Sequence, residues 1–301
     1  MELYKNKQEF IDIIIVSAQF YKINPAIVEK DYYVTLLLSE LKNNIPGLVF
    51  KGGTSLSKCY KLIDRFSEDI DLSLDVEHFT QKNKRNANKK IIETCDKLGF
   101  TIQNRTQKEL HSHANFNSYI IEYPITFINN GITPTIKVEL SFIQKPYPDD
   151  SKLTYSIISN YLISIGKDKL LSEINLEPFS IKVQSLERTF VDKIFAICDY
   201  YLSNNVLRNS RHIYDIYKLS NEINYNDLKK LIKIVREERS KNKKCLSAQP
   251  GIILEDILAK IVKEDFYKKD YDEITNTLLV KKTSYEESIT VIYEIINKHL
   301  F

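Results

Sequence analysis

Two aspartates one residue apart, Asp69 and Asp71, sit in the run Asp69-Ile70-Asp71-Leu72-Ser73-Leu74. Strict alternation predicts a half-buried strand, with Ile70, Leu72 and Leu74 on one face and Asp69, Asp71 and Ser73 on the other. Carboxylates projecting from one strand face can share one or two divalent cations, Mg²⁺ or Mn²⁺, as phosphoryl-type transfer requires. Just upstream, the apolar run 48–50 leads into Lys51-Gly52-Gly53-Thr54-Ser55. Glycines between a strand and a helix let backbone N–H groups approach phosphates. Further on, Ile136, Val138, Leu140 and Phe142 alternate with Lys137 and Glu139, which places Glu139 on the polar face of another strand as a possible third carboxylate. Singly these signals are commonplace. A glycine pair is usually a turn, and an isolated DxD is more often a solvated strand edge or helix cap. Their order along the chain is what points to metal-dependent transfer from a nucleoside triphosphate.

That order is recognisable. The stretch FKGGTSLSKCYKLIDRFSEDIDLSLD, residues 50–75, resembles the first motif of the AbiEii/AbiGii-type toxin nucleotidyltransferases, within the polymerase-β-like nucleotidyltransferase superfamily. Val28-Glu29-Lys30-Asp31-Tyr32-Tyr33 looks like the family's approach to that motif. Glu187-Arg188-Thr189-Phe190-Val191-Asp192-Lys193 resembles its central helix, whose lysine is a catalytic position, although Val191 stands where the family often has Trp. Arg211-His212-Ile213-Tyr214-Asp215-Ile216-Tyr217 resembles its last motif, whose aspartate is also needed.

The resemblance implies an α+β fold: a nucleotidyltransferase lobe over 1–180, with a small mixed or antiparallel sheet flanked by helices, then an all-helical lobe over 181–301 that completes the active site. It implies Asp69, Asp71, Lys193 and Asp215 as catalytic residues, with Asp69, Asp71 and Glu139 as metal ligands. Lys51, Gly52, Gly53, Thr54, Ser55, Arg65 and Ser67 would hold the NTP; Arg65 and Ser67 could equally brace the strand. It further implies the toxin of a type IV-like toxin–antitoxin or phage-defence pair, with a cognate antitoxin and an RNA acceptor, tRNA in some members. Nucleotidylation of a protein hydroxyl would need the same site, and a binding protein without turnover is a third reading. Intact Asp69, Asp71, Lys193 and Asp215 argue against the last.

The surrounding pattern must position these residues. Helical periodicity covers 7–42, with Pro25 opening a second helix. A helix carrying Leu56, Tyr60 and Ile63 is expected to run to about Asp64. Another crosses the basic run 82–90 to Leu98, with Gly99 as its cap. Strands over 118–127 and 135–143 flank Asn129-Asn130-Gly131, a hairpin signal. From about residue 180 the pattern is helical, over 187–202, 211–219, 226–239, 252–265 and 285–299.

Lys193 on a helix is ordinarily a solvated flank, and Asp215, one turn after Arg211, suggests an ion pair with it. His111 and His113 are read as loop residues. A net charge of +3 names no partner by itself. The run KNKRNANKK is five cations without an acid, which is usually a solvated helix face. No apolar run reaches the roughly 18–20 residues of a membrane span. Cys59, Cys95, Cys198 and Cys245 are far apart, which reads as reduced thiols in a cytoplasmic protein.

Overall fold

The computed structural model describes residues 3–65, 67, 69–129, 132–226 and 228–301. The chain divides into two compact units. One comprises Met1–Tyr60, Glu68–Lys145 and Asp149–Val183; the other comprises Lys61–Ser67, Pro146–Pro148 and Gln184–Phe301.

The first unit opens with α1 (Lys7–Tyr21), which stops where Lys22 adopts a left-handed φ of 55°. In α2 (Pro25–Asn44), the Asn24 side chain accepts the Ala26 N–H, and Pro25 occupies the first turn, where its missing N–H costs nothing. Then come β1 (Leu48–Lys51), α3 (Gly52–Lys58), β2 (Ile70–Leu74), α4 (Gln81–Leu98) and β3 (Thr101–Ile102). They are followed by α5 (Arg105–Leu110), β4 (Phe116–Glu122), β5 (Thr135–Ser141), β6 (Asp149–Thr154), α6 (Ile157–Ser164), α7 (Asp168–Glu173) and β7 (Phe179–Gln184).

Among the described residues the strands form one sheet in the order β3-β4-β5-β2-β1-β7-β6. It is mixed: β2 runs parallel to β5 and β1 to β7, while β1/β2, β3/β4 and β4/β5 are antiparallel. One face carries the core. Phe50, Ile70, Leu72, Ile136, Val138 and Leu140 are fully buried there with residues of α1, α2 and α4. Burial of the alternating apolar set fixes register, because a slip of one residue would turn that whole set to solvent.

Local details depart from the sequence pattern. The helix after the glycines stops at Lys58 rather than near Asp64. Lys61 takes a left-handed φ of 54°, which no α-helix accommodates. Ser73 lies on the polar side of β2 yet is buried, donating from Oγ to the Ser141 carbonyl at 3.0 Å. The hairpin forms with Tyr119 opposite Val138, but its strands end at Glu122 and restart at Thr135, so the connection is longer than expected. Asn130 and Gly131 of the expected turn lie outside the described residues. Within the basic run on α4, Lys84 is buried and donates to Asn115 Oδ1 at 2.6 Å, while Lys89 and Lys90 both pair with Glu93. Gly99 caps α4 at a φ of 70°.

The second unit is helical: α8 (Leu186–Leu202), α9 (Arg211–Ser220), α10 (Leu228–Ser240), α11 (Leu254–Lys263) and a last helix over Tyr285–Asn297. The Ser185 side chain caps α8 by accepting the Arg188 N–H. Phe190, Val191, Ile194, Phe195, Ile197 and Cys198 bury two sides of α8 at once, which makes it the centre of this unit. Val191 is therefore a core side chain. Arg188 is buried beside it, held by Asp192, Glu238 and the Tyr147 carbonyl. Among the described residues no single helix is long and apolar enough to cross a membrane.

Candidate active site

In the first unit, strand pairing brings the separated signals into one row. Lys51 lies opposite Asp71 across β1/β2, Asp71 opposite Glu139 across β2/β5, and Glu139 opposite Ser118 across β5/β4. Paired residues in a sheet share a face, so a cation, two carboxylates and a hydroxyl stand side by side on the face opposite the core.

Asp71 and Glu139 stand side by side in this row, and the charge on Glu139 acts on Asp71. Burial and the adjacent Glu139 push Asp71 up to about 7, against the opposing pull of Lys51. Two neighbouring carboxylates resist being ionised together, and a bound cation would relieve that repulsion. Glu139 also pairs with Lys137, two residues away on the same strand face. Asp69, just before β2, adds a further negative charge that raises Asp71.

Gly52 explains how Asp71 reaches this position. The residue has a φ of +77°, and a Cβ there would lie 1.9 Å from Asp71 Oδ2. The glycine is required twice, for its backbone and for the space the carboxylate occupies. In α3, Ser55 donates from Oγ to the Gly52 carbonyl at 2.8 Å, and Thr54 and Ser55 are both buried. Lys51 ends β1 and Gly53 lies in the first turn of α3.

Hard oxygen donors at Asp71 and Glu139 are the ligand chemistry of Mg²⁺ or Mn²⁺. Their pairing in register and the raised Asp71 fit a site that a cation would relieve. As they stand, no three His, Cys, Asp or Glu side chains among the described residues converge to hold a metal ion.

In the second unit, Asp215 is wholly buried and grips two cations. Arg65 donates through Nε and Nη2 to its two oxygens at 2.7 Å each, and Lys193 Nζ donates to Oδ2 at 2.6 Å. Burial alone would raise this carboxyl, but Arg65 and Lys193 outweigh it and hold it well below the usual carboxylate range. Burial pulls Lys193 down from its ordinary value despite Asp215. The one-turn spacing to Arg211 is not what pairs Asp215: its carboxylate points into the unit, towards α8 and the 61–67 segment. Arg65 thus braces Asp215, and Ser67 is half-buried in the same segment.

Sequence reasoning missed His212. It stacks on Tyr200 with ring centroids 5.6 Å apart, and its Nδ1 lies 3.4 Å from Lys193 Nζ. Burial and the neighbouring cations hold His212 well below its ordinary value, so its ring is neutral. A histidine one residue into a helix gives no sequence signal of this. His111 and His113 occupy the turn after α5.

The profile of the nucleotidyl transferase AbiEii toxin family, type IV toxin–antitoxin systems, matches residues 36–290. No curated protein matches the chain in sequence. Among solved structures, the chain resembles MenT4, a nucleotidyltransferase toxin of Mycobacterium tuberculosis H37Rv, at 16% identity and a TM-score of 0.57. That match covers 94% of this chain and 88% of MenT4. JHP933 of Helicobacter pylori aligns at 18% identity over 90% of this chain and 94% of its own, with a TM-score of 0.47.

Proposed function

The chain belongs to the AbiEii nucleotidyl transferase toxin family of type IV toxin–antitoxin systems, and from that premise we propose that it transfers a nucleoside monophosphate from an NTP to an RNA acceptor, a tRNA. Membership makes it a nucleotidyltransferase and implies an NTP substrate and a cognate antitoxin. Transfer to tRNA would halt translation, the action of a toxin or of a phage-defence system. Such a reaction would run in the cytoplasm, where both NTP and tRNA are found.

The observation that carries this reading is the pairing of Asp71 with Glu139 in register, beside a glycine whose missing side chain makes room for the carboxylate. In the proposed site Asp69, Asp71 and Glu139 would hold Mg²⁺ or Mn²⁺. Bound there, the cation would neutralise phosphate charge and favour ionisation of the acceptor hydroxyl. Lys51, Gly52, Gly53, Thr54 and Ser55 would bind the triphosphate through backbone N–H groups, hydroxyls and the lysine charge. Asp69, Asp71, Lys193 and Asp215 are required for turnover, the last two from the helical lobe proposed to span 181–301. Arg65 serves as a brace, since it already spends two of its donors on Asp215.

The deciding experiment incubates the protein with Mg²⁺, total tRNA and each labelled NTP in turn, with Asp71→Ala alongside. Label on tRNA that disappears in the variant supports the proposal. Label on protein alone moves the acceptor to a protein hydroxyl, and NTP binding without any transfer sinks the catalytic reading.

A further inference from the structure

α2 carries three consecutive charged residues, Glu29, Lys30 and Asp31, in a helix buried on nearly every side. Glu29 and Lys30 are each only 1% exposed. Charges withdrawn from water are costly unless directional partners replace it, so their partners show what the fold gains. Glu29 accepts the Thr126 N–H through Oε1 at 2.8 Å and the Phe127 N–H through Oε2 at 3.0 Å. Lys30 Nζ donates to the Thr133 carbonyl at 2.7 Å. Both grips fall on the connection between β4 and β5, and the second lies two residues before the strand that bears Glu139.

Asp31 works in another direction. It pairs with Lys58, the last residue of α3, and its Oδ2 accepts the Ile157 N–H at 2.7 Å, at the start of α6. Successive residues of a helix point about 100° apart. One turn of α2 therefore reaches the glycine-bearing helix on one side and the approach to β5 on another.

We propose that Glu29, Lys30 and Asp31 are positioning residues for nucleotide transfer: Asp31, through Lys58, sets α3 and its triphosphate-binding start, while Glu29 and Lys30 set the approach to Glu139. Apolar packing is non-directional and would let α3 and β5 settle independently. Charge-assisted hydrogen bonds from one rigid helix turn fix both to a common reference. The inference rests on the nucleotide-transfer reading above, but the latch itself is measurable without it.

Kinetics with the full chain and labelled NTP test it. Asp31→Asn and Lys58→Met each raise KM for NTP about tenfold with kcat little changed, the cost of a misplaced binding segment. The double variant is no worse than the worse single one, because both break one latch. Lys58→Arg restores KM. Lys30→Met instead lowers kcat at unchanged KM. Additive KM effects in the double variant, or parallel losses in kcat and KM that track a fall in Tm, overturn the proposal.

Hydrogen exchange supplies the second measurement. Amides of α3 exchange faster in Asp31→Asn while those of β2 and β5 keep their protection. Unchanged α3 exchange overturns the latch whatever the enzyme does. If the wild type transfers no nucleotide yet α3 loosens as stated, the latch stands and only the transfer reading fails.

Discussion

Asp71 and Glu139, 68 positions apart in the chain, are direct partners across two parallel strands, and the charge on Glu139 raises the Asp71 carboxyl. Nothing local creates this pairing. It follows from β5 inserting beside β2 in a register set by the apolar residues on the opposite face.

Gly52→Ala tests how Asp71 is seated. The new Cβ would fall 1.9 Å from Asp71 Oδ2, so the variant loses nucleotide transfer and is destabilised by more than the roughly 1 kcal/mol of backbone strain alone. In an Asp71→Ala background the 1.9 Å and 2.8 Å contacts to the carboxyl group are gone, leaving the backbone cost and the 3.1 Å approach of the residue 71 Cβ, so the cost falls. Urea unfolding of the two singles and the double closes the cycle. Equal costs in both backgrounds would mean that Asp71 does not occupy the space above Gly52.

Divalent-ion binding tests the carboxylate pair. Asp71→Asn and Glu139→Gln each weaken Mg²⁺ binding, measured calorimetrically with NTP present, by on the order of 100-fold or more. EDTA abolishes transfer by the wild type, and added Mn²⁺ restores it. Wild-type affinity in Glu139→Gln would remove Glu139 from the ligand set.

The Asp215 cluster separates structure from catalysis. Asp215→Ala takes from the buried Arg65 and Lys193 the carboxylate they share, a loss of about 3–5 kcal/mol in unfolding free energy. Lost activity in that variant is ambiguous. The triple variant Arg65→Met/Lys193→Met/Asp215→Leu removes all three charges together and keeps near wild-type stability, since apolar replacement of a buried ionic cluster is often neutral. It folds and is inactive. Activity in the folded triple variant would show that the cluster is only a brace.

Acid stability reports the same cluster. Asp215 titrates below its unfolded value because Arg65 and Lys193 outweigh the effect of burial. Its contribution is therefore fully present above the unfolded value of about 4 and is lost as pH falls through the lower folded value. The stability difference between wild type and Asp215→Asn, from urea unfolding, holds from pH 7 to 5 and narrows below pH 4. A constant difference down to pH 2.5 would show that the carboxylate is not held in ionised form.

The residue types suited to metal and phosphate binding stand out in the sequence for an identifiable reason. Metal-binding and phosphate-binding residues come in short local patterns, DxD on an alternating strand and a glycine pair between strand and helix, and local spacing fixes which way side chains point. Asp71, Glu139 and Gly52, each marked by such a pattern, are neighbours in the fold. The limits were equally physical. Helix periodicity alone could not show that α3 ends at Lys58 and that Lys61 bars its continuation, because Tyr60 and Ile63 continue the apolar pattern while the backbone turns away. The Glu29-Lys30-Asp31 triplet was visible as part of a motif but had no role, since its partners lie 27 to 126 positions away.

The sequence by itself determined the catalytic class, the alternating strands and the helical character of the chain after β7, though not β7 itself, which runs four residues past 180. These depend on residue type and period, which act over a few residues. Only the tertiary structure decided that Glu139 stands beside Asp71, that Arg65 rather than Arg211 pairs with Asp215, and that Lys193 completes that cluster with a neutral His212 at its side. Register and burial choose those partners, and both are properties of packed elements rather than of any single segment.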